Sequence, residues 1–173
     1  MTVKLDEIDI LLLTELQLDA DRSNVELARL TGLSPAATLH RVRALKESGV
    51  IRIIRAQPDP ALAGFPLQVF ITCSLFQSNP RSDRAFEDHL RSLPQVITAD
   101  NVAGETDYIL TAVARDVSEL AQLLASLSSR GTQRLVTYLR LAEVKAPAPL
   151  PLGPEPAARP GRPRRPAPAR RPG

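Results

Sequence analysis

The sequence has few of the residues on which catalytic and metal sites depend. It contains one cysteine, Cys73, which excludes an internal disulfide and fits a reducing compartment. Cys73 lies within an apolar run, so we expect it in the core and not as a nucleophile. The two histidines, His40 and His89, have no cysteine or second histidine at metal-ligand spacing, and there is no glycine-rich phosphate loop. We therefore expect no catalytic residue, no metal site and no cofactor.

Long apolar runs are also missing. Residues 60–80 carry no charge, but Gly64, Pro66 and several polar side chains interrupt them, which predicts a loop and a strand instead of a membrane span. The first ten residues contain three acidic side chains, unlike the positively charged start of a signal peptide. We expect a soluble, cytoplasmic protein without a membrane partner.

The net charge of +3 hides an uneven distribution. Residues 1–33 hold three basic and seven acidic side chains, whereas residues 34–55 hold five basic and one acidic. Residues 56–145 hold eight basic and ten acidic side chains, and residues 146–173 hold six arginines and one glutamate. A basic segment therefore follows an acidic one near the start of the chain, and a second basic segment ends it.

Two helices are predicted before the first basic segment. Apolar residues at helical spacing predict the first over 5–18, and the acidic residues of its first turn suit the positive end of the helix dipole. Ser23 with Glu26 three residues later forms the pattern of a capping box, which predicts a second helix over 24–31. Gly32 is expected to end it in a left-handed conformation.

The basic segment itself predicts a third helix. Ser34 is its N-cap, Pro35 occupies its first position, and Ser48-Gly49 ends it. The stripe that we predict to be buried consists of Leu39, Val42 and Leu45. The residues that we predict to face largely outward are Ala37, Thr38, His40, Arg41, Ala44 and Lys46.

A glycine-containing turn before a short basic helix is typical of a helix-turn-helix DNA-binding unit. In such a unit Arg41 is placed to pair with guanine, and the methyl groups of Thr38 or Ala37 are placed to contact thymine. The other arginines suit phosphates, as do the helix N-termini at Ser23 and Ser34. A solvated basic helix face is the alternative. The predicted DNA-binding residues are Ser23, Ser34, Pro35, Ala37, Thr38, Arg41, Arg43, Arg52 and Arg55.

The region after the third helix predicts a boundary between domains. Residues 50–57 are rich in β-branched side chains and predict a short strand or wing edge that carries Arg52 and Arg55. Prolines and a glycine then predict a linker over 58–65. The helix-turn-helix domain is therefore expected to span residues 1–57.

Residues 66–145 predict a second domain with elements in the order βαββαβ, which makes the chain an α+β protein with a ferredoxin-like C-terminal domain. The strands are predicted over 66–76, 95–103, 107–115 and 133–144. The helices are predicted to begin at Ser82 and after the cap Asp116. This order usually builds an antiparallel sheet with both helices on one face, so the other face is free to pack against a second subunit.

Residues 146–173 differ in composition from the rest of the chain. Ten of these 28 residues are proline and six are arginine, without an apolar period, which predicts a disordered tail. Two interpretations remain open. The tail is either a cationic arm that adds non-specific DNA affinity, or the product of neutral drift in a GC-rich genome.

The motifs of the N-terminal segments occur together in a known family. The chain contains LD-x-x-D before an apolar helix, then S-N-x-E-L-A, T-G-L-S-P, R-V-x-x-L and E-x-G-V-I, and later DPALAGFPLQVFI, LPQVITADNVAGETDYIL and RLAEVK. Over about residues 4–145 it resembles the Lrp/AsnC, or feast/famine, transcription regulators of bacteria and archaea. The resemblance implies a winged-helix-type DNA-binding domain joined to a βαββαβ regulatory domain.

The resemblance also implies partners. Members of the family dimerise through their sheets and assemble further into tetramers, octamers or larger rings. They bind double-stranded DNA at pseudo-palindromic operators, and an amino acid or similar effector binds between dimers and shifts the assembly. We expect the same partners for this chain.

In the family the effector cleft involves the G-x-x-D-Y turn and the last strand of a neighbouring subunit. Backbone N–H groups of such a turn suit a carboxylate, and Asp107 or Glu105 suits an ammonium group. Arg140 departs from the usual apolar residue and, if it faces inward, favours an anionic effector. A plain hairpin turn is the alternative. The effector-binding residues carried over are Gly104, Glu105, Thr106, Asp107, Tyr108, Thr137, Tyr138 and Arg140.

One class of enzyme is similar in its two-domain plan, the sirohaem decarboxylases. Its substrate is a tetrapyrrole with many carboxylates, which we expect to need a basic pocket that contains histidine. Residues 60–145 offer only His89. The enzyme is therefore the alternative, and a regulator is the principal prediction. The acidic first helix leaves a third possibility, a ligand-sensing or partner-modulating oligomer with weak DNA affinity.

Overall fold

The computed structural model of the chain describes residues 3–76 and 79–152, which form two compact units. Of the described residues, the first unit comprises 3–55 together with 147–152, and the second comprises 56–76 and 79–146. None of the helices within these described stretches is long and apolar enough to cross a membrane.

Three capped helices form the first unit. The predicted caps are confirmed, because the hydroxyls of Ser23 and Ser34 accept hydrogen bonds from the backbone N–H groups of Glu26 and Ala37, each at 3.2 Å. Gly32 ends the second helix with φ at 72°, a left-handed conformation that favours glycine. The helices are α1 Glu7–Leu18, α2 Asn24–Thr31 and α3 Pro35–Glu47.

The helices of the first unit enclose one apolar core. Its buried members are Leu12, Leu13, Leu27, Val42 and Leu45. Full burial of a side chain of this kind stabilises a fold by about 1.5–3 kcal/mol. Val42 and Leu45 therefore hold α3 firmly against α1 and α2. The partly buried side chains around this core are Leu5, Ile8, Leu16, Val50, Ile51 and Leu152.

The chain after α3 departs from the prediction. Residues 52–59 have no regular secondary structure, so the strand or wing edge predicted over 50–57 is wrong for the single chain. Ile53 and Ile54 are exposed there. A strand needs a hydrogen-bonded neighbour, and the strands that the described residues form all belong to the second unit, where they pair with one another.

The start of the predicted tail also departs from the expectation of disorder. Residues 147–152 belong to the first unit, where the Leu150 N–H donates to Gln17 Oε1 at 2.7 Å and Leu152 packs against the helical core. The prediction of disorder came from the average composition of residues 146–173. Such an average does not indicate that Leu150 and Leu152 contact an apolar surface. The remainder of the predicted tail, 153–173, lies outside the described residues.

The second unit confirms the predicted α+β class and the βαββαβ order. Its strands are arranged β2-β3-β1-β4, and every neighbouring pair is antiparallel. The helix α4 begins at Pro80 and not at Ser82, because the side chain of Asn79 caps it, and β4 ends at Leu139 and not at residue 144. The elements are β1 Leu67–Leu75, α4 Pro80–Ser92, β2 Val96–Asn101, β3 Tyr108–Ala114, α5 Val117–Ser128 and β4 Thr132–Leu139.

The sheet has one covered face and one open face. Val69, Ile71 and Cys73 of β1 are buried with side chains of α4 and α5, and burial raises the pKa of the Cys73 thiol to about 11. Cys73 is therefore a core residue, as expected. The alternate residues point to the open face, where Phe70 pairs with Tyr138 and the two side chains are 40% and 55% exposed.

Candidate DNA and effector sites

The outer face of α3 is small and basic. Its buried side is formed by Thr38, Val42 and Leu45. With 3.6 residues per turn, the residue opposite that side is His40, a position that the sequence analysis placed outward without giving it a role. The exposed residues of α3 are Pro35, Ala36, Ala37, His40, Arg43, Ala44, Lys46 and Glu47.

Thr38 is the clearest correction to the predicted site. It is 0% exposed, and its hydroxyl donates to the Ser34 carbonyl oxygen at 3.0 Å. A threonine whose hydroxyl is satisfied within the helix is easily buried, whereas Leu39, which was assigned to the buried stripe, is only half-buried. Thr38 thus takes the place that was predicted for Leu39 beside Val42 and Leu45, and Thr38 cannot contact a base.

Arg41 has two carboxylate partners on α1. Its Nη1 donates to Asp6 Oδ2 at 2.7 Å and to Asp9 Oδ1 at 2.9 Å. The two acids also form the capping box of α1, in which the Asp9 N–H donates to Asp6 Oδ1 at 2.8 Å. That hydrogen bond, and then Arg41, hold the pKa of Asp6 below its usual value.

The Arg41 contacts disagree with the prediction that this residue reads a guanine. To reach a base, its guanidinium would have to leave two charge-assisted hydrogen bonds. Its pKa is raised by Asp6 and Asp9, which is a further sign that the charge is already compensated. Arg41 therefore joins α1 to α3, and the LD-x-x-D motif supplies its partners.

The other predicted phosphate contacts remain accessible. Arg43, Arg52 and Arg55 are exposed, and among the described residues none of the three has an ion-pair partner. Ser23 and Ser34 are exposed at the N-termini of α2 and α3. Free cations and helix N-termini on one small unit suit a polyanion.

The G-x-x-D-Y turn is tied to the end of β1. The Thr106 hydroxyl donates to the Cys73 carbonyl oxygen at 2.7 Å, and Asp107 Oδ2 accepts from the Leu75 N–H at 2.8 Å. Thr106 and Asp107 therefore shape the turn. Gly104 and Glu105 are its exposed members.

Tyr108 lies in the core and not on the outer surface of the turn. It is 2% exposed, and its ring packs against Phe86 with centroids 5.1 Å apart. Its buried hydroxyl has no hydrogen-bond partner among the described residues. Tyr108 is one of the residues that line a cavity of about 410 Å³ between α4 and β2. Burial, and then Asp83 and Glu87, raise the pKa of the phenol. The prediction that Tyr108 contacts the effector stays a prediction, and its ring does not lie on the outer surface of the turn.

The predicted residues of the last strand lie far from the turn of the same chain. Cys73 pairs with Tyr108, whereas Phe70 pairs with Tyr138 on the other side of β1. Three to five residues along a strand correspond to about 10–17 Å, and two inter-strand spacings separate β3 from β4. A single chain therefore does not bring the turn and Tyr138 together.

The environment of each predicted β4 residue differs. Thr137 pairs with Ile71 on the helix-covered face and is half-buried. Arg140 donates to Gln68 Oε1 at 2.9 Å and forms an ion pair with Glu143. Its charge is compensated within its own chain, so the structure gives no reason to expect an anionic effector. Tyr138 is the accessible member of the three.

The described residues contain no group of three or more histidine, cysteine or acidic side chains placed to hold a metal ion. Among the described residues we identify two candidate sites. One is the outer face of α3 with its flanking arginines, and the other is the exposed part of the turn at Gly104 and Glu105.

Comparison with known proteins gives matches to both units. Residues 5–52 match the winged helix-turn-helix DNA-binding family, and residues 68–150 match the Lrp/AsnC ligand binding domain. The leucine-responsive regulatory protein of Haemophilus influenzae is 35% identical over 143 residues, which cover 82% of this chain and 86% of that protein. The HTH-type transcriptional regulator AldR of Mycolicibacterium smegmatis is 39% identical over 143 residues, 79% of this chain and 83% of that protein.

Solved structures agree with the sequence matches. A transcriptional regulator of Neisseria meningitidis, solved as a complex with L-Met, superposes with a TM-score of 0.79 at 32% identity. The superposition covers 86% of this chain and 97% of that one. Both units of the fold therefore occur together in known regulators.

Proposed function

Because the chain belongs to the Lrp/AsnC family of ligand-responsive transcription regulators, we propose that α3 enters the major groove of a pseudo-palindromic DNA site as part of a dimer. The alternative of a sirohaem decarboxylase is not retained, since the relatives are DNA-binding regulators and not enzymes. The observation that carries the proposal is the geometry of α3, which is fixed along Thr38, Val42 and Leu45 and exposed on the opposite side.

The residues that contact DNA are then divided by position. Ala37 and His40 lie on the outer face of α3 and approach base edges, where small side chains permit close contact and imidazole offers a hydrogen bond. Arg43, with Arg52 and Arg55, binds phosphates. Ser23, Ser34 and Pro35 lie at helix N-termini that suit phosphate oxygens.

The open face of the sheet supports a dimer. Phe70, Ile109 and Tyr138 expose apolar surface there, and an isologous contact between two copies would cover it on both. Assembly of dimers into tetramers or octamers belongs to the same proposal, as does a cytoplasmic location.

The effector is proposed to be an amino acid or a related metabolite. Its site combines Gly104 and Glu105 of one subunit with Tyr138 of another, since one chain keeps these parts separate. Glu105 suits the ammonium group of the effector, and Thr106 and Asp107 hold the turn in shape. The relative solved with L-Met supports this class of ligand.

Two experiments test the proposal. Selection of operators from random DNA should yield a pseudo-palindromic sequence, and His40→Ala should change the preferred base at symmetric positions. A thermal-shift screen against the twenty amino acids should identify a ligand whose effect Glu105→Gln removes, whereas Glu47→Gln, at an exposed position of α3, retains it. A selection without any enriched sequence would contradict the DNA proposal, and a flat screen would contradict the amino-acid proposal.

A further inference from the structure

The open face of the sheet carries a charged side chain on each of its two edge strands. Asp100 of β2 pairs with Ile109, which is 41% exposed on this face. Arg134 of β4 pairs with Ser74, which follows the buried Cys73 along β1 and therefore points to the open side. The remaining described strand residues on this face are uncharged. The face thus has an apolar centre with one acidic edge and one basic edge.

Neither charge is compensated within its own chain. Asp100 and Arg134 are exposed, and neither forms an ion pair with another described residue. In the strand order β2-β3-β1-β4 three inter-strand spacings separate them, which amounts to about 14 Å, so they do not pair with each other. If a second copy covers this face, each charge loses water and needs a partner on that copy.

A two-fold axis parallel to the strands supplies that partner. With this axis, two sheets packed face to face about 10 Å apart place β2 of one copy over β4 of the second. One row across the sheet, by the register of its strands, consists of Asp100, Ile109, Thr72 and Val136. Arg134 is two residues from Val136 along β4, about 7 Å, a distance that an arginine side chain spans. Asp100 of one copy is therefore within reach of Arg134 of the second.

A two-fold axis that runs across the strands has the opposite effect. It places β2 over β2 and β4 over β4, so that Asp100 faces the same edge of the second copy and Arg134 does likewise. Like charges that face each other across an interface are unfavourable, whereas opposite charges fix the relative position of two partners. The distribution of charge on the open face therefore favours the axis parallel to the strands.

We infer that Asp100 of one copy and Arg134 of the second form an ion pair, twice in each dimer, and that these pairs determine how the two sheets are oriented and which sheet is accepted as a partner. The inference rests on the sheet-face dimer proposed above. An ion pair at the edge of an interface adds little affinity, so its main effect is on orientation and partner choice.

Charge reversal in the full chain tests the pairing. Asp100→Arg alone, or Arg134→Asp alone, creates two like-charge contacts in each dimer and should raise the dissociation constant of the dimer by a factor of about 10–100. The two substitutions together in one chain restore opposite charges and should return the constant to the parental value. Sedimentation velocity over a dilution series measures it. Parental constants in both single variants would overturn the inference.

Mixing the two single variants gives a sharper test. A heterodimer of Asp100→Arg and Arg134→Asp contains two opposite-charge contacts, whereas either homodimer contains two like-charge contacts. Heterodimers should therefore clearly exceed the fraction of about half that random exchange between isologous dimers gives. Native mass spectrometry of differently tagged chains, refolded together, counts the three kinds of dimer.

The matched control replaces one member of the mixture by Arg81→Asp. Arg81 is exposed on α4, on the helix-covered side of the sheet, so the two chains differ by the same net charge as before. Their heterodimer contains one like-charge and one opposite-charge contact, the average of its two homodimers, and should form about half of the dimers. A random distribution in the test mixture, or an equal excess in the control, would contradict the ion pair.

Phe70→Lys, at the centre of the same face, distinguishes this inference from the proposed function. If that variant is monomeric while both charge variants dimerise as the parent does, the sheet-face dimer stands and the ion pair fails. If Phe70→Lys still dimerises, the proposed interface fails and the inference with it. Circular dichroism melts verify that each variant is folded.

Discussion

Arg41 of α3 donates to Asp6, the N-cap of α1, across 2.7 Å, so a cation of the third helix is held by the residue that caps the first. Asp9 shares the contact at 2.9 Å. The acidic first turn and the basic third helix are therefore complementary parts of one unit. The acidic and basic segments of the sequence are explained in part by this ion pair, and not only by the proposed binding of phosphates.

Arg41→Gln should lower the melting temperature by a few degrees and weaken binding to every DNA sequence by a similar factor. The reason is that the variant loosens α3 on α1 without removing a base contact. Thermal melts and competition binding with operator variants measure both effects. Arg43→Gln is the control, since this exposed residue should leave the melting temperature unchanged and reduce the salt slope by about 0.9. An altered base preference in Arg41→Gln with an unchanged melting temperature would show that Arg41 reads DNA.

Substitutions of Thr38 and His40 should have opposite effects on stability and on base preference. Thr38→Val retains the volume of a buried side chain and loses one local hydrogen bond, so it should cost about 1 kcal/mol of stability or less and keep the base preference. His40→Ala should keep the stability and cost about 1–3 kcal/mol of discrimination at one base pair of each half-site. Binding to a panel of single-base operator variants measures this. A base preference that follows Thr38 would contradict the burial described above.

The capping box of α2 should make stability depend on acid pH. Glu26 accepts from the Ser23 N–H at 2.8 Å, and this hydrogen bond lowers the pKa of Glu26 below its ordinary 4.5. Because the folded pKa is the lower one, the stabilisation is complete above pH 4.5 and is lost as the pH falls through the folded value. Urea unfolding at pH 7, 5, 4 and 3 should show Glu26→Gln less stable than the parent at neutral pH and converging with it in acid. Glu47→Gln, at an exposed position outside the capping box, is the matched control.

Phe70→Lys should convert the dimer that we propose to a monomer at micromolar concentration. The open sheet face places Phe70 beside Tyr138, and a lysine there would bury a charge in the contact between copies. Light scattering after gel filtration measures the mass. Leu62→Lys, which changes a residue that is 90% exposed in a loop, should leave the dimer intact. A dimer that persists in Phe70→Lys would place the interface elsewhere.

Local signals predicted most of the fold. Caps and helix ends depend on neighbours within a few residues, so Ser23, Gly32 and Ser34 mark boundaries that the structure confirms. The strands and helices after residue 66 were likewise predicted in the observed order, and β1 shows the alternate burial that is typical of a strand packed on one face. Residues 50–57 were assigned to a strand from composition alone, which does not say whether a partner strand is present.

The candidate sites were predicted less well, because their residues depend on distant contacts. The ion pair between Arg41 and Asp6 joins residues 35 positions apart, and helical periodicity reports only which side of a helix is apolar. Tyr108 belongs to a turn motif yet packs on Phe86, which only the assembled sheet reveals. The LD-x-x-D motif was visible in the sequence and, read with the arginine of α3, carried the signal for the ion pair.

The separation of the G-x-x-D-Y turn from Tyr138 within one chain has a consequence for sensing. A receptor whose halves come from different copies exists only to the extent that the copies meet. For the site that we propose, the apparent affinity for the effector rises with the concentration of regulator in the cell, so a scarce regulator stays unliganded at a metabolite concentration that an abundant one detects. The fraction of regulator that carries effector then depends on the expression level and the metabolite level together.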